Sequence, residues 1–248
     1  MPRSARQESN SGIYHVILRG INRQRIFEDE EDYACFLDIL NDCRTVSGFE
    51  LYAYCLMSNH IHLLLRAGKE SPGMIFRRIG AKFVYWYNTK YDRTGHLFQD
   101  RFRSEVVEND EYFLTVMRYI HQNPVKAGIC SEPQEYPYSS FARYFDDVLI
   151  ESSFIEEMIG RDEFDRYNRE KNDDACLEVS EQIRPRTTDE QARVLMKRIS
   201  GCGNAAEFQQ IPKARQEKSL QEMLKAGVSI RQACRLTGLS FGFVRRFI

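Results

Sequence analysis

Two histidines stand one residue apart in the stretch Ser58-Asn59-His60-Ile61-His62-Leu63-Leu64-Leu65. In a β-strand, side chains two positions apart share a face. The spacing therefore predicts that His60 and His62 lie side by side, with Ile61 and Leu63 turned into the opposite layer. Two adjacent neutral imidazoles suit a divalent metal. Two unrelated strand histidines, one of them satisfied by hydrogen bonds, would show the same spacing. The pair gains meaning only with a third ligand and a reactive group beside it.

Both are on offer in Met117-Arg118-Tyr119-Ile120-His121-Gln122-Asn123-Pro124. On a helix, Tyr119 and Asn123 share a face one turn apart. Laid over the histidine side of a sheet, that face would make the Asn123 amide oxygen a third metal ligand and Tyr119 a nearby phenol. A phenolate that attacks a phosphodiester needs a phosphate held in place and a cation that polarises it. Tyrosine is common here, with 13 copies, so Tyr119 taken alone reads equally as a core or surface aromatic. His121 faces elsewhere and is expected either to be structural or to support a ligand from behind. Tyr85 and Tyr87 have Thr89 and Tyr91 four positions on, where a carboxamide would be needed. They are expected to pack on the sheet.

The elements that must position these groups follow from periodicity. Gly12 to Leu18, Glu50 to Met57 and Ile61 to Arg66 read as strands, rich in β-branched and aromatic residues. Asp29 to Val46, Gly73 to Lys90 and Asp110 to Asn123 read as helices, the last capped by Asn109 or Asp110 and ending before Pro124. Leu97 to Val107 reads as extended. The order β-α-β-β-α-β and then a helix predicts an α+β fold: a ferredoxin-like split βαβ antiparallel sheet with helices on one face. Residues 1–145 form this domain. Residues 146–190 are expected to be an acidic connector with helical pieces around Phe154–Ile159. Residues 191–248 form a small all-α domain.

Charge divides the same way. The net charge of −1 splits into 18 basic and 18 acidic side chains over 1–145, 6 and 15 over 146–190, and 11 and three over 191–248. Residues 66–103 alone hold nine Lys/Arg against three Asp/Glu. A basic segment is the electrostatic footprint of polyanion binding, although a solvated helix face carries charge too. Arg19, Arg23 and Arg25 follow the first strand, and Arg77, Arg78, Lys82, Arg101 and Arg103 occupy the basic stretch. Phe76, Phe83, Trp86, Phe98 and Phe102 interleave with them, with Phe83 and Phe102 expected in the core. Cations tracking phosphates beside aromatic stacking faces suit single-stranded DNA.

In the tail, Pro212 suits a helix start. Ser229 can cap a second helix, and Ser240 a short third one after Thr237-Gly238-Leu239. Small Cys234 and Gly238 let two helices cross closely, the spacing of a helix-turn-helix. Phe241, Arg245 and Arg246 would then meet duplex DNA from the recognition helix. A plain helical hairpin for protein contact is the competing reading.

Several classes are excluded. Seven cysteines without a C-x-x-C pair argue against a disulfide scaffold or zinc ribbon and fit a reducing cytosol. No signal peptide is visible, and no apolar run approaches the roughly 18 residues of a membrane span, so a cytoplasmic protein without membrane contact is expected.

Five ordered blocks resemble the HUH single-tyrosine transposases of the IS200/IS605 kind, and more closely their REP-associated tyrosine transposase relatives. They are Tyr14-His15-Val16 with Arg19-Gly20 and Asn22-Arg23-Gln24, Ala53 to Leu65, Arg93 to Phe102, Arg118 to Gly128, and Tyr136-Pro137-Tyr138-Ser139-Ser140. Ser58 stands where the family often has Pro, and Phe98 and Tyr138 where it often has Trp. The small insertion-sequence enzymes lack a C-terminal extension. The resemblance implies Mg²⁺ or Mn²⁺ on His60, His62 and Asn123, and Tyr119 as the nucleophile. It implies a single-stranded DNA endonuclease and strand transferase working through a 5′-phosphotyrosine, on a linear strand or a hairpin. One tyrosine per site means that two cuts take two subunits or two turnovers, so a homodimer is one arrangement. The alternative is a DNA-binding regulator whose HUH-like domain is catalytically silent.

Overall fold

The computed structural model describes residues 7–170, 172–174, 176–177 and 189–247. The chain forms two compact units, residues 1–179 and 180–248.

The first unit is built on a four-stranded sheet of β1 (Ile13–Arg19), β2 (Glu50–Met57), β3 (His60–Arg66) and β4 (Arg103–Val106), in the order β2-β3-β1-β4. Every pairing is antiparallel. This is the split βαβ order expected from the sequence. Helix α1 (Glu30–Ser47) joins β1 to β2, and α2 (Pro72–Lys90) joins β3 to β4. The stretch 97–107, expected to be extended throughout, supplies only four strand residues and one isolated bridge, Gly20 to Phe98.

Helix ends follow local chemistry. Asp29 caps α1 by accepting the Asp32 N–H, in a capping box whose loss would cost about 1 kcal/mol. Gly48 ends α1 in the left-handed region at φ 67°. Lys90, in the last turn of α2, reaches Asp29 at 2.7 Å and the buried Asp32 at 3.0 Å. A cation at one helix C-terminus thus meets carboxylates at the other's N-terminus, where both dipoles favour it.

Strand alternation sends Leu18 toward α2, with which it lines a common cavity. His15, Ile17, His60 and His62 share the other face, because Ile17 pairs with His62 and Arg19 with His60. Helix α3 (Asp110–Lys126) covers that face. An irregularity at Leu51/Ala53 in β2 accompanies a Tyr52 ring that packs edge-on to Phe113 of α3 at 5.1 Å. Asn109 caps α3 as expected. The helix does not stop at Asn123: it continues to Lys126 with Pro124 inside it. Proline forfeits one hydrogen bond there, but so near the helix end few bonds remain to lose. Gly128, at φ 68°, ends the turn.

The acidic stretch 146–190, expected to be a connector, is packed structure over much of its length. Helix α4 (Ser153–Arg169), kinked at Gly160, buries Ile155, Phe164 and Asn168 against the first unit. Arg118 of α3 is held by Asp174 at 2.7 Å, and the Glu105 carboxylate accepts the Leu177 N–H at 2.9 Å. Acidic side chains at 146–177 are therefore partly ion-pair partners rather than linker charge. Residues 178–188 lie outside the described residues.

The second unit comprises α5 (Asp189–Ser200), α6 (Ala205–Gln210), α7 (Lys213–Lys225), α8 (Ile230–Thr237) and α9 (Phe241–Val244) around a core that includes Met196, Phe208, Leu220, Met223 and Val244. Ser229 and Ser240 cap α8 and α9, and Gly238 takes φ 69° between them. The chemistry expected of this turn is present, and α9 is short, as anticipated.

Candidate metal and nucleophile site

The four groups singled out by spacing converge. The Nε2 atoms of both histidines point at the Asn123 amide: His60 Nε2 lies 3.4 Å from Oδ1, and His62 Nε2 lies 3.3 Å from Nδ2. The His60 and His62 ring centroids are 5.0 Å apart. Tyr119, one turn before Asn123, packs edge-on to His62 with centroids 5.8 Å apart and is 4% exposed. Lys126 Nζ lies 4.9 Å from the Tyr119 ring centroid, which puts a cation beside the phenol.

Hydrogen-bond direction follows from the network. Glu105, paired in register with His15, accepts from His15 Nδ1 at 2.8 Å. The other nitrogen of a neutral His15 ring is then an acceptor. In that state its Nε2, 3.0 Å away, accepts from His62 Nδ1. That leaves a lone pair on His62 Nε2, aimed at Asn123. His60 is oriented from the other side, with Nδ1 donating to Asn59 Oδ1 at 2.7 Å, so its Nε2 also carries a lone pair. That lone pair lies 3.4 Å from the Asn123 carboxamide oxygen, while the Asn123 Nδ2–H faces His62 Nε2 at 3.3 Å. Two imidazole nitrogens and a carboxamide oxygen brought together in this way are a donor set of the kind that holds a divalent cation.

Burial holds both imidazoles neutral. It lowers His60 to about 4, partly opposed by the Asn123 hydrogen bond and aided by Arg19. It lowers His62 well below the usual histidine value, with His15 and His60 contributing. Neutral rings are the ligand form. No cluster of three or more His, Cys, Asp or Glu side chains suited to a metal occurs among the described residues. His15 is engaged by Glu105 and His62, and the side chain that faces both His60 Nε2 and His62 Nε2 is Asn123.

The loop after β1 supports this arrangement. The Gly20 N–H donates to Asn59 O, and the Ile26 and Phe27 N–H groups to Ser58 O. A β-carbon at Gly20 would stand 2.2 Å from Gln24 O, so only glycine lets the loop return this closely. Asn22 and Arg23 hold left-handed torsions at φ 52° and 63°.

The expected DNA contacts separate into groups. Arg19 and Arg103 lie in the sheet on the histidine side, paired with His60 and Ile17. Burial, then Arg23 and Arg103, pull the Arg19 guanidinium below its ordinary value, which marks a crowd of cations at the site's edge. Arg25 is exposed and 3.7 Å from Glu28. Arg77 and Arg101 line a cavity beside α2. Arg78 and Lys82 are instead committed to Glu70 and Asp42. Phe241, 51% exposed, and the exposed Arg245 and Arg246 sit on the surface of the second unit, with Arg246 stacked over Phe243 at 4.5 Å.

Spacing missed His15 and Glu105. His15 was visible as a strand histidine, but its relation to His62 depends on the β1–β3 register. His121 is structural as expected, buried between Asn168 Oδ1 at 2.7 Å and Ser140 Oγ at 2.9 Å. Tyr87 is buried, but Tyr85 is 77% exposed and does not pack on the sheet: it occupies the outer face of α2.

This constellation falls inside residues 8–123, which match the family described as IS200-like transposases. This segment has curated relatives. It is 30% identical over 107 residues to a Haemophilus influenzae (strain Rd) protein provisionally named a REP-associated tyrosine transposase, covering 38% of this chain and 60% of that one. It is 27% identical over 97 residues to the REP-associated tyrosine transposase of Escherichia coli K12, covering 38% and 56%. The chain thus spans under two thirds of either relative. A solved structure described as a REP-associated tyrosine transposase bound to a REP hairpin shares the fold. Its TM-score is 0.56 at 17% identity, over 74% of this chain and 99% of the other. No described helix is long and apolar enough to cross a membrane.

Proposed function

We propose that the first unit cuts and rejoins single-stranded DNA, with Tyr119 as nucleophile and His60, His62 and Asn123 as ligands of Mg²⁺ or Mn²⁺. The observation that carries this reading is the convergence of two imidazole lone pairs and a carboxamide oxygen one helical turn from a phenol. A divalent cation bound there would supply Lewis acidity to the scissile phosphate. The Tyr119 Oη attacks phosphorus, its proton passing to solvent. The Oη–P bond forms as the P–O3′ bond breaks, and the departing 3′-oxygen takes up a proton. The products are a 5′-phosphotyrosine and a free 3′-OH. One phosphodiester is exchanged for another, so attack by a second 3′-OH reverses the step and joins strands without an energy source. Lys126, Arg19, Arg23 and Arg103 supply positive charge for the approaching backbone, an effect that salt would weaken strongly.

The second unit is proposed to bind duplex DNA through Phe241, Arg245 and Arg246, with α8 and α9 as a helix-turn-helix. Single strands, hairpins included, are the proposed substrate of the first unit.

The test is direct. The full chain is mixed with labelled single-stranded DNA and Mn²⁺ and examined for an adduct that survives SDS. An adduct lost in Tyr119→Phe supports the reading. Cleavage without adduct, retained in Tyr119→Phe, would indicate water as the nucleophile. Silence across many oligonucleotides would leave a DNA-binding regulator.

A further inference from the structure

The sheet face away from the histidines carries a second concavity. A cavity of about 460 Å³ is lined by Leu18, by α2 and by the 98–102 segment. That volume falls within the roughly 300–1,000 Å³ of small-ligand sites. Its walls are mainly apolar, with the Phe76, Phe98 and Phe102 rings among them, and Arg77, Arg101 and Asp100 are its exposed charged members.

Three features narrow the occupant. Gly80 lies inside α2, where glycine weakens a helix, yet a β-carbon there would meet no atom within 4 Å. Packing does not require this glycine, but an open floor to the cavity does. Arg77 and Arg101 make no ion pair or side-chain hydrogen bond with any described residue, whereas their neighbours Arg78 and Lys82 are held by Glu70 and Asp42. Finally, the cavity borders the same end of β1 as the site. Leu18 lines the cavity, the next residue, Arg19, pairs with His60, and Gly20 bridges Phe98. A chain running past Arg19 can reach both faces.

An occupant with a flat apolar body joined to a polyanion satisfies all three. A phosphate group inside would meet aromatic rings and the Asp100 carboxylate, so the anionic part belongs outside, at the arginines. We infer that the cavity receives one unpaired nucleobase of the same single strand whose phosphate reaches Tyr119, with Arg77 and Arg101 holding the flanking phosphates. This rests on the proposed action on single-stranded DNA and adds where that strand is gripped. Stacking on aromatic rings tolerates any base, so the cavity supplies grip and register more than sequence choice.

The test compares two fluorescein-labelled strands of equal length and charge, oligo(dT) and an abasic phosphodiester, binding the full chain without divalent metal. The expected wild-type preference for oligo(dT) is roughly tenfold, the size of base stacking on a protein ring. Gly80→Leu fills the cavity and should bring the ratio close to one while leaving abasic affinity unchanged. Gly80→Ala adds one carbon in open space and favours the helix, so it should fold normally and lower the ratio part-way. Replacing Arg77 and Arg101 together by Ala should weaken both strands alike. A ratio unchanged in both glycine variants, with unchanged melting temperatures, overturns the cavity assignment while adduct formation by Tyr119 can still stand. Failure of the wild type to bind either strand overturns both.

Discussion

His15 Nε2 and His62 Nδ1 lie 3.0 Å apart, so one of the two proposed ligand imidazoles is held by a further imidazole. Glu105 in turn holds His15 at 2.8 Å. This relay fixes which nitrogen of His62 keeps its proton. Such outer partners typically change metal affinity 10–100-fold when removed. His15→Phe is expected to weaken Mn²⁺ binding by roughly that factor, measured by calorimetry on the full chain. Ring ¹⁵N shifts should show His62 moving partly to the tautomer protonated at Nε2. Unchanged shifts and affinity would reduce His15 to packing.

Asn123→Ala removes the proposed third donor and leaves the two histidine Nε2 atoms facing a gap. Mn²⁺ affinity is expected to fall at least tenfold, and the SDS-stable adduct to fall with it. Asn123→Asp keeps an oxygen and adds charge, so it should retain binding. Equal metal affinity in wild type and Asn123→Ala would exclude Asn123 as a ligand.

Acid should destabilise the chain through His121. Burial lowers this group to about 4, against an ordinary value of 6.5. Its pKa is depressed on folding, so the unfolded state binds the extra proton between those values. Stability is full above pH 6.5, falls as pH drops toward 4, and levels off below it. The loss is on the order of 3 kcal/mol from this residue. Chemical denaturation at pH 7, 5.5 and 4 measures it. His121→Gln should flatten the slope in that window, and an unchanged slope would contradict the assignment.

The second unit should bind duplex DNA through exposed cations. Replacing Arg245 and Arg246 with Ala is expected to reduce duplex affinity and flatten the log-affinity versus log-salt plot by about two, near 0.9 per lost phosphate contact. Adduct formation on single strands should be unaffected. An unaltered salt slope would point to protein contact for this surface instead.

The backbone return after β1 gives a last prediction. Gly20→Ala would drive a β-carbon into Gln24 O. The loop must shift, and with it Asn59, which orients His60. Mn²⁺ affinity should therefore drop even though Gly20 is no ligand, while the melting temperature falls by only a few degrees. Wild-type affinity in this variant would separate the loop from the site.

The positions of strands and helices along the chain, and the pairs His60/His62 and Tyr119/Asn123, were legible because each depends on short-range periodicity. Residues two apart on a strand and four apart on a helix share a face whatever the fold. The length of α3 was misjudged because Pro124 signals a break, yet proline costs little where the helix is nearly spent. The stretch 146–190 read as linker from its charge, but within its described part Asp174 and the buried Asn168 find partners on α3 that composition does not reveal.

The amino-acid sequence by itself determined the donor types, their local spacing, and caps such as Asp29, Asn109 and Ser229, because these act within a few residues. Only the tertiary structure decided that Glu105, His15 and His62 form one hydrogen-bonded line. That line crosses three strands, and its register is set by long-range pairing. It likewise decided which arginines find partners: Arg77 and Arg78 are neighbours on one helix, and among the described residues only Arg78 meets a carboxylate. Contacts between distant segments depend on how the whole chain packs, which local pattern does not encode.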